Sequence, residues 1–245
     1  KLPPFFDYNY RIRYYSREEV KQRKDIKHPS VREVLRFKNV TEGIEMVHHA
    51  DLPAQSGLGT SSTFTVGMLH ATYTLLSQMP TKYQLANEAI NIEQNIIGEN
   101  VGSQDQVAAA FGGLNRIDFG GSQEFIVTPL IIDPERLADF ENHLVLFFTG
   151  FTRSANDIAS EQVRLIYSKS SELKEMMELT NQAMNILSDK SICILEIGRL
   201  LNHQWKLKRQ LSNSISNTNI DDIYNKGIKA GAIGGKLLGA GGGGF

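Results

Sequence analysis

The sequence predicts an α+β protein, because strand-like segments cluster in its first half and helical segments in its second half. Of the 245 residues, 41% are hydrophobic and 22% are charged, as in an ordinary soluble globular protein. The formal net charge of −1 gives no reason to expect nucleic acid or a membrane surface as a partner. A chain of this length can bury a sizeable core, as one large domain or as two closely packed lobes.

Cysteine usage and hydropathy predict a cytoplasmic protein. Cys193 is the single cysteine, which excludes an internal disulfide framework and fits a reducing compartment. The sequence has no run of about 18 apolar residues, and no signal peptide opens it. The chain begins at Lys1 without a methionine and stops at Phe245 directly after four glycines, so we expect sequence to be missing at both ends.

Alternation and helical spacing predict the first elements. Aromatic and basic residues alternate over Tyr8–Tyr15, and Ile44, Met46 and His48 alternate further on, so both segments are predicted strands. Between them lies a charged, partly helical stretch that Pro29 interrupts. A helix follows, and its predicted buried face consists of Phe64, Met68, Ala71 and Leu75.

The later elements follow from the same signals. Thr81 can cap a helix that runs to Ile97, and "VAAAFGGLNRIDF" predicts a short helix or turn and then a strand. "EFIVTPLII" and "HLVLFFTG" are further predicted strands. The remainder is mostly helical, with helices expected at about Ser154–Ser168, Ser171–Leu187, Ser191–Leu211 and Ile220–Ala230.

A loop of small residues, "PAQSGLGTSSTF" at positions 53–64, precedes the first long helix. The first amides of a helix have no intrahelical acceptor and carry the positive end of the macrodipole. Glycines let a phosphate approach the backbone, and hydroxyls can bind the phosphate or its metal ion. The loop is therefore either a turn with a well-capped helix or a phosphate site, and the loop alone leaves both open.

Two acidic residues stand out. Glu93 shares a helical stripe with Ile90 and Ile97, where an unpaired carboxylate would be expensive, so it either reaches water or is compensated by a cation. Asp105, flanked by two glutamines, is either a helix N-cap or a base or charge stabiliser. A metal-nucleotide phosphotransferase needs a loop for phosphates, an acid for magnesium and an acid that orients the attacking hydroxyl.

The last ten residues, "KLLGAGGGGF", hold five glycines and one alanine at positions 239–244. Such a run would be costly inside a helix or a strand. We therefore expect it to pack closely against another stretch of backbone or against a ligand.

Together these stretches resemble the GHMP kinases, a family that includes galactokinase, homoserine kinase, mevalonate kinase and phosphomevalonate kinase. The family's phosphate loop has the form P-x-x-x-G-L-G-S-S, from which "PAQSGLGTS" differs only at Thr60. "KLLGAGGGGF" corresponds to the late glycine motif, and Glu93, Gly98 and Asp105 match the glutamate, glycine and aspartate between the two. The resemblance implies the two-lobed GHMP kinase fold, with a ribosomal protein S5-like N-terminal lobe at 1–135 and a ferredoxin-like C-terminal lobe at 136–245.

The resemblance also implies ATP and Mg²⁺ as cofactors and gives roles to residues. Ser61 and Glu93 would hold Mg²⁺, and Asp105 would face the acceptor hydroxyl as a base or orienting anion. The family's first motif has no counterpart here, so no catalytic lysine or arginine is assigned. The residues that would contact the ATP phosphates are Pro53, Ser56, Gly57, Leu58, Gly59, Thr60, Ser61 and Ser62. Those that would support the loop and bind substrate are Gly239, Ala240, Gly241, Gly242 and Gly243.

Within the family, the sequence is similar to sugar-1-kinases that act on D-glycero-D-manno-heptose 7-phosphate, through stretches such as "HPSVREVLRF" and "FTGFTRSANDIASEQ". A substrate already phosphorylated at one end needs cations away from its anomeric hydroxyl, and Arg153 is the first candidate. Solvated surface charge is the favoured interpretation of the weaker candidates, Arg11, Arg13, Lys208 and Arg209. Two alternatives stay open: a kinase for an unphosphorylated sugar such as fucose, and a catalytically silent binding protein. The oligomeric state is not predicted.

Overall fold

The computed structural model describes residues 1–3, 5–52, 54, 56–120, 124–152 and 155–245. The described chain is a mixed α+β fold, as predicted, and forms two compact units. The first comprises Lys1–Ala54 and Gly59–Gly112, and the second comprises Gln55–Leu58 and Gly113–Phe245. The lobe boundary expected between positions 135 and 136 stays a prediction.

A three-stranded sheet lies in the first unit. Its strands are β1 (Tyr10–Arg13), β2 (Arg17–Val20) and β3 (Ile44–Val47), in the order β2-β1-β3. β1 runs antiparallel to β2 and parallel to β3. The predicted strands β1 and β3 are confirmed, whereas β2 forms in the charged stretch that was expected to be partly helical.

Four helices accompany this sheet within the described part of the first unit: α1 (Pro29–Phe37), α2 (Thr60–Leu75), α3 (Lys82–Ile90) and α4 (Gln104–Phe111). α3 continues as a π-helical segment over Asn91–Ile97, and a single 3₁₀ turn forms at Arg23–Asp25. Pro29 was expected to interrupt a helix, but it begins one, because its fixed φ and missing N–H suit the first helical position.

The buried face of α2 was predicted only in part. Met68 is buried, but Phe64 and Leu75 are half-buried and Ala71 is exposed. Two threonines are buried instead, and each hydroxyl donates to the carbonyl one turn earlier: Thr65 to Ser61, and Thr72 to Met68. An apolar stripe misses such residues, because a backbone acceptor removes the cost of burying a hydroxyl. The other buried residues of the helix are Ser62, Val66, Leu69 and Tyr73.

The second unit contains a hairpin and a set of helices. β4 (Asn115–Phe119) and β5 (Phe125–Pro129) pair antiparallel. Helices follow at α5 (Pro134–Asn142), α6 (Ala155–Leu165), α7 (Ser170–Ser188), α8 (Glu196–Leu211) and α9 (Thr218–Lys229), with a 3₁₀ turn at Ile166–Lys169. The four helices expected after position 153 are confirmed within a few residues.

Helix α5 was missed, although its start carries a clear signal. The Asp133 side chain accepts hydrogen bonds from the amides of Glu135 and Arg136, and Pro134 occupies the first helical position. An aspartate followed by a proline predicts a helix start of this kind.

The strand expected at "HLVLFFTG" is wrong. This stretch lies within the described residues and has no strand assignment, and Leu144–Phe148 are exposed. The extended pairing occurs at its end, where the Thr149 amide donates to the Gly244 carbonyl and the Gly244 amide donates to that of Phe151. Apolar β-prone residues form a strand only where a partner supplies a ladder of hydrogen bonds.

Three apolar clusters form the cores of the part of the chain that the structure describes. The first unit has one, between the sheet and its helices, and it includes Ile12, Val34, Leu69 and Ile92. The second unit has two, one around Trp205, Ile215 and Leu237 and the other around Ile186 and Ile197. Among the described helices, none is both long and apolar enough to cross a membrane.

Candidate functional site

The N-cap residue of α2 is a glycine. Gly59 occupies this position with a left-handed φ of 69°, and no side-chain cap forms there among the described residues. The hydroxyls of Thr60, Ser61 and Ser62 therefore do not serve as caps, so the structure does not support the interpretation as a well-capped turn. Amide N–H groups at a helix start that have no acceptor can donate hydrogen bonds to an anion, and a preceding glycine lets the anion come close.

Asp105 lies directly against this helix start. A Cβ built on Gly59 would be 2.9 Å from Asp105 Cγ, so only the hydrogen of a glycine fits there. Asp105 is not a helix N-cap, because Ser103 occupies that position of α4. Its carboxyl is half-buried, and this burial raises the pKa of Asp105 above its ordinary value. A carboxylate with a raised pKa binds a proton more readily than an exposed aspartate does. Beside a helix start that can bind phosphate, such a carboxylate can act as a base.

Glu93 is fully buried in the π-helical segment, with 0% of its surface exposed. Its Oε2 accepts hydrogen bonds from Ser62 Oγ at 2.8 Å and from Gln106 Nε2 at 2.5 Å. Its Oε1 is also buried but has no hydrogen-bond partner among the described residues. The interpretation in which Glu93 reaches water is therefore wrong, and the carboxylate retains a free oxygen for a cation.

The oxygen atoms around Glu93 suit a magnesium ion whose remaining ligands are phosphate and water oxygens. Besides Glu93 Oε1, Gln106 Oε1 is buried without a partner in the described part of the chain. No group of three or more His, Cys, Asp or Glu side chains comes together among the described residues. Mg²⁺ is commonly bound by one or two carboxylates together with substrate phosphates and waters, so the residues present fit it.

Ser62, and not Ser61, contacts Glu93. Ser62 is buried, whereas Ser61, the residue before it in the same helix turn, is exposed. Of the residues named as phosphate contacts, Thr60 and Leu58 are half-buried. The role of Ser61 as a metal ligand stays a prediction. The structure adds Ser62 as the hydroxyl that contacts Glu93.

In the second unit, the terminal glycines pack on the backbone of Ser56 and Gly57. A Cβ on Gly239 would lie 2.8 Å from Gly57 Cα, and a Cβ on Gly244 would lie 2.1 Å from the Ser56 carbonyl oxygen. The Phe245 amide donates to that same carbonyl at 3.1 Å. The expectation that this run packs against another backbone is therefore confirmed. Ser56 itself is fully buried, and its Oγ has no partner among the described residues.

The rest of the glycine run packs on neighbouring segments of the same unit. A Cβ on Gly241 would lie 3.0 Å from Ile215 Cα, and the Gly242 amide donates to the Ile215 carbonyl at 2.8 Å. A Cβ on Gly243 would meet Phe151 at 3.0 Å. Ala240 is half-buried against the cluster around Trp205. Each position leaves room for little more than a hydrogen or a methyl group.

Lys208 also contacts this run. Its Nζ donates to the carbonyl oxygens of Leu237 at 2.9 Å and Gly239 at 2.6 Å, and the residue is 7% exposed. Burial, with a smaller repulsion from Lys236, lowers the pKa of Lys208 to about 7. The interpretation of Lys208 as a solvated surface charge is therefore wrong. Its spacing, three residues after Trp205, places it on the apolar face of α8 and could have revealed this.

The other candidate cations pair with surface acids. Arg209 contacts Asp221 at 3.0 Å on an exposed face. Arg11 and Arg13 contact Glu45 at 3.2 and 3.6 Å. Pro53 and Arg153 lie outside the described residues, so their proposed contacts with phosphate and substrate stay predictions.

A cavity of about 620 Å³ in the first unit lies at a different place. It is lined by Arg23, Arg32, Glu33 and Arg36 among others, and it includes none of the residues predicted to bind ATP, metal or sugar. Glu33 accepts hydrogen bonds from both Arg32 and Arg36. The buried polar groups around Glu93 identify the chemistry better than the size of this cavity does.

Comparison with known proteins identifies the family that this chain resembles. The family model described as "GHMP kinases N terminal domain" matches residues 26–113, and that described as "GHMP kinases C terminal" matches residues 190–245. The chain is 34% identical over 206 residues to a D-glycero-alpha-D-manno-heptose 7-phosphate kinase of Campylobacter jejuni, covering 80% of this chain and 58% of that protein. It is 27% identical to a bifunctional fucokinase/GDP-fucose pyrophosphorylase of Arabidopsis thaliana, covering 83% of this chain and 19% of that protein.

A solved structure of a heptose phosphate kinase shares the fold of this chain. The crystal structure of a D-glycero-D-manno-heptose 1-phosphate kinase from Bacteroides thetaiotaomicron superposes with a TM-score of 0.71 and 26% identity, covering 95% of this chain and 70% of that chain. The chain thus spans a little over half of the length of the Campylobacter jejuni relative. From the matched domains and this shared fold, we conclude that the chain belongs to the GHMP kinase family.

Proposed function

We propose that the protein containing this chain is an ATP-dependent sugar kinase. It transfers the γ-phosphoryl group of ATP to the anomeric hydroxyl of D-glycero-D-manno-heptose 7-phosphate, and the product is the 1,7-bisphosphate used for nucleotide-activated heptose. The observation that carries this proposal is the Asp105 carboxyl group held against Gly59 at the uncapped start of α2. A phosphoryl acceptor site needs such a carboxylate beside its phosphate-binding amides.

The phosphate-binding role falls to residues 53–62. The amides at the start of α2 bind phosphate oxygens, and Gly57 and Gly59 allow them to come close to the backbone. Both glycines have φ values in the left-handed region, 79° and 69°, which other residues adopt only with strain. This role is supported by Gly59 at the N-cap of α2, because a glycine has no side chain that could occupy the first amides.

Glu93 is the proposed magnesium ligand, with Ser61 as its predicted companion and Ser62 and Gln106 in contact with its other oxygen. Magnesium, when bound, neutralises charge on the transferring phosphoryl group. The unpartnered Glu93 Oε1 supports this role, because a buried carboxylate oxygen without a partner is costly unless a cation compensates it.

Asp105 accepts or orients the proton of the anomeric hydroxyl. Its pKa is raised by burial, which makes its carboxylate a better proton acceptor than an exposed aspartate. Transfer is direct and in line, without a phosphoenzyme, so positioning and electrostatic stabilisation supply most of the acceleration.

The substrate assignment rests on two relatives whose names contain a heptose phosphate. Arg153 is the proposed contact for the 7-phosphate group, since an arginine can bind a phosphate through two parallel hydrogen bonds. The similarity to a fucokinase favours a second candidate, a kinase for an unphosphorylated sugar such as fucose. That enzyme would need no phosphate contact, and its activity should not depend on Arg153.

A sugar panel tests this proposal. Magnesium-dependent ADP release is measured with D-glycero-D-manno-heptose 7-phosphate, the unphosphorylated heptose, mannose, fucose and galactose, with Arg153→Gln as a second protein. Turnover confined to the 7-phosphate and reduced in the variant is the expected result. Turnover with a plain sugar that Arg153→Gln leaves unchanged would replace the heptose assignment. ATP binding without turnover on any sugar would favour a silent member of the family.

A further inference from the structure

Lys208 joins helix α8 to the turn that begins the glycine run. Its ammonium group donates to the carbonyls of Leu237 and Gly239, which flank Leu238. The Leu238 amide in turn donates to the Phe245 carbonyl at 2.9 Å. One buried side chain therefore holds the backbone on both sides of Leu238, directly before the glycine run.

The same turn lies on the backbone of the proposed phosphate loop. Gly239 packs so closely on Gly57 that a methyl group on Gly239 would come within 2.9 Å of the Gly57 carbonyl oxygen. A methyl group on Gly57 would come within 3.1 Å of the Leu238 carbonyl oxygen. A displacement of the turn is thus transmitted to Gly57, because no side chain lies between the two backbones to absorb it.

We propose that Lys208 is a positioning residue for ATP, which holds the Leu237–Gly239 segment against Gly57 and thereby fixes the phosphate loop. This inference rests on the proposed kinase function and adds to it a residue outside the motifs that suggested that function. Lys208 does not touch substrate in this account. It acts through Gly239, and its loss should weaken ATP binding much more than sugar binding.

The charge of Lys208 should strengthen its hydrogen bonds to the Leu237 and Gly239 carbonyls. Charge-assisted hydrogen bonds to carbonyls are roughly twice as strong as neutral ones. Burial, and to a smaller extent repulsion from Lys236, lowers the pKa of Lys208 to about 7. The Lys236 Nζ itself donates to Gln204 Oε1 at 3.1 Å. The ammonium form therefore dominates below about pH 7 and is lost as the pH rises through that value. We expect ATP affinity to fall a few-fold between about pH 6.5 and pH 8.5.

The test compares Lys208→Met with Lys206→Met, an exposed lysine on the same helix, and with Lys208→Arg, which keeps a permanent charge. The dissociation constant of ATP is measured by calorimetry, and amide hydrogen exchange is followed over residues 237–245 without nucleotide. For Lys208→Met we expect faster exchange in this segment and about tenfold weaker ATP binding, with a smaller change in the KM for sugar. Lys208→Arg should recover most of the affinity, and its affinity should depend less on pH over the same range than that of the wild-type protein.

Two results would overturn the inference. One is a folded Lys208→Met protein that binds ATP as tightly as Lys206→Met. The other is amide hydrogen exchange over residues 237–245 that is no faster in Lys208→Met than in Lys206→Met. Failure of the kinase proposal gives a different pattern, because the wild-type protein would then turn over no sugar, whether or not it binds ATP, while the exchange difference between the variants would remain.

Discussion

A methyl group on Gly59 would lie 2.9 Å from the carboxyl carbon of Asp105, so the helix start and the acid are in direct contact. The two residues are 46 positions apart and reach each other because α4 packs on α2. The φ of Gly59, 69°, is one that a glycine adopts without strain. The contact places Asp105 Oδ2 within 3.1 Å of the position that a Gly59 methyl group would take at the start of α2.

Replacing Asp105 by asparagine should lower turnover by roughly a hundredfold or more, since the variant loses a proton acceptor. Asparagine has nearly the same shape, so folding and ATP binding should persist. Steady-state kinetics and the ATP dissociation constant check this, with the exposed Asp222→Asn as a matched control. Turnover near the wild-type value in Asp105→Asn would remove Asp105 from the mechanism.

The pH profile of turnover should show the raised pKa of Asp105. Because burial favours the protonated form, the carboxylate needed for catalysis is lost as the pH falls through a value above the ordinary range of aspartate. The acidic limb of kcat should therefore lie above that range in the wild type and disappear from the residual activity of Asp105→Asn. An acidic limb that is identical in both proteins would belong to another group.

Replacing Glu93 by glutamine should raise the magnesium concentration needed for half-maximal activity by about tenfold or more. The metal-free protein should not lose stability through the lost charge, because a neutral amide is cheaper to bury than a carboxylate. Magnesium titrations of activity and melting temperatures with and without Mg²⁺ provide the measurements. An unchanged magnesium requirement would leave Glu93 without a metal role.

The two neighbouring serines provide the control for this experiment. If the hydroxyl on Glu93 orients the carboxylate, Ser62→Ala should also raise the magnesium requirement, although less than Glu93→Gln does. Should Ser61→Ala alone have this effect, the magnesium would be bound on the exposed side of the helix start.

Replacing Gly239 by alanine should destabilise the protein by about 2–3 kcal/mol, through strain at a φ of 61° and a clash with Gly57. Gly235→Ala is the matched control, since a Cβ there has nothing within 4 Å. Urea denaturation measures both free energies of unfolding. Equal values for the two variants would show that the contact with Gly57 is not tight in solution.

Much of the candidate site could be predicted because its chemistry is local in sequence. Glycines and hydroxyls before an apolar helix indicate an anion site wherever that helix lies in the fold. The choice between Ser61 and Ser62 could not be made in this way. Successive residues on a helix differ by about 100° in direction, and only the packing of α2 decides which serine faces Glu93.

The errors in the fold arise where tertiary partners decide the outcome. The residues around Phe147 have strong β-propensity, yet a strand needs a neighbouring backbone, and the described pairing involves Gly244 at the end of that stretch. Lys208 was expected to be exposed, because a lysine is rarely buried unless acceptors are supplied. The carbonyls that accept its hydrogen bonds come from a turn that is 29 residues or more away in sequence.

The proposed reaction places a second phosphate on a sugar that already carries one. The most direct measurement is phosphorus NMR of the product formed from ATP, Mg²⁺ and D-glycero-D-manno-heptose 7-phosphate. The account predicts one new phosphate on the anomeric carbon for each ADP released, with the 7-phosphate retained. ADP released without a new sugar phosphate, or a new phosphate at any other position, would contradict it.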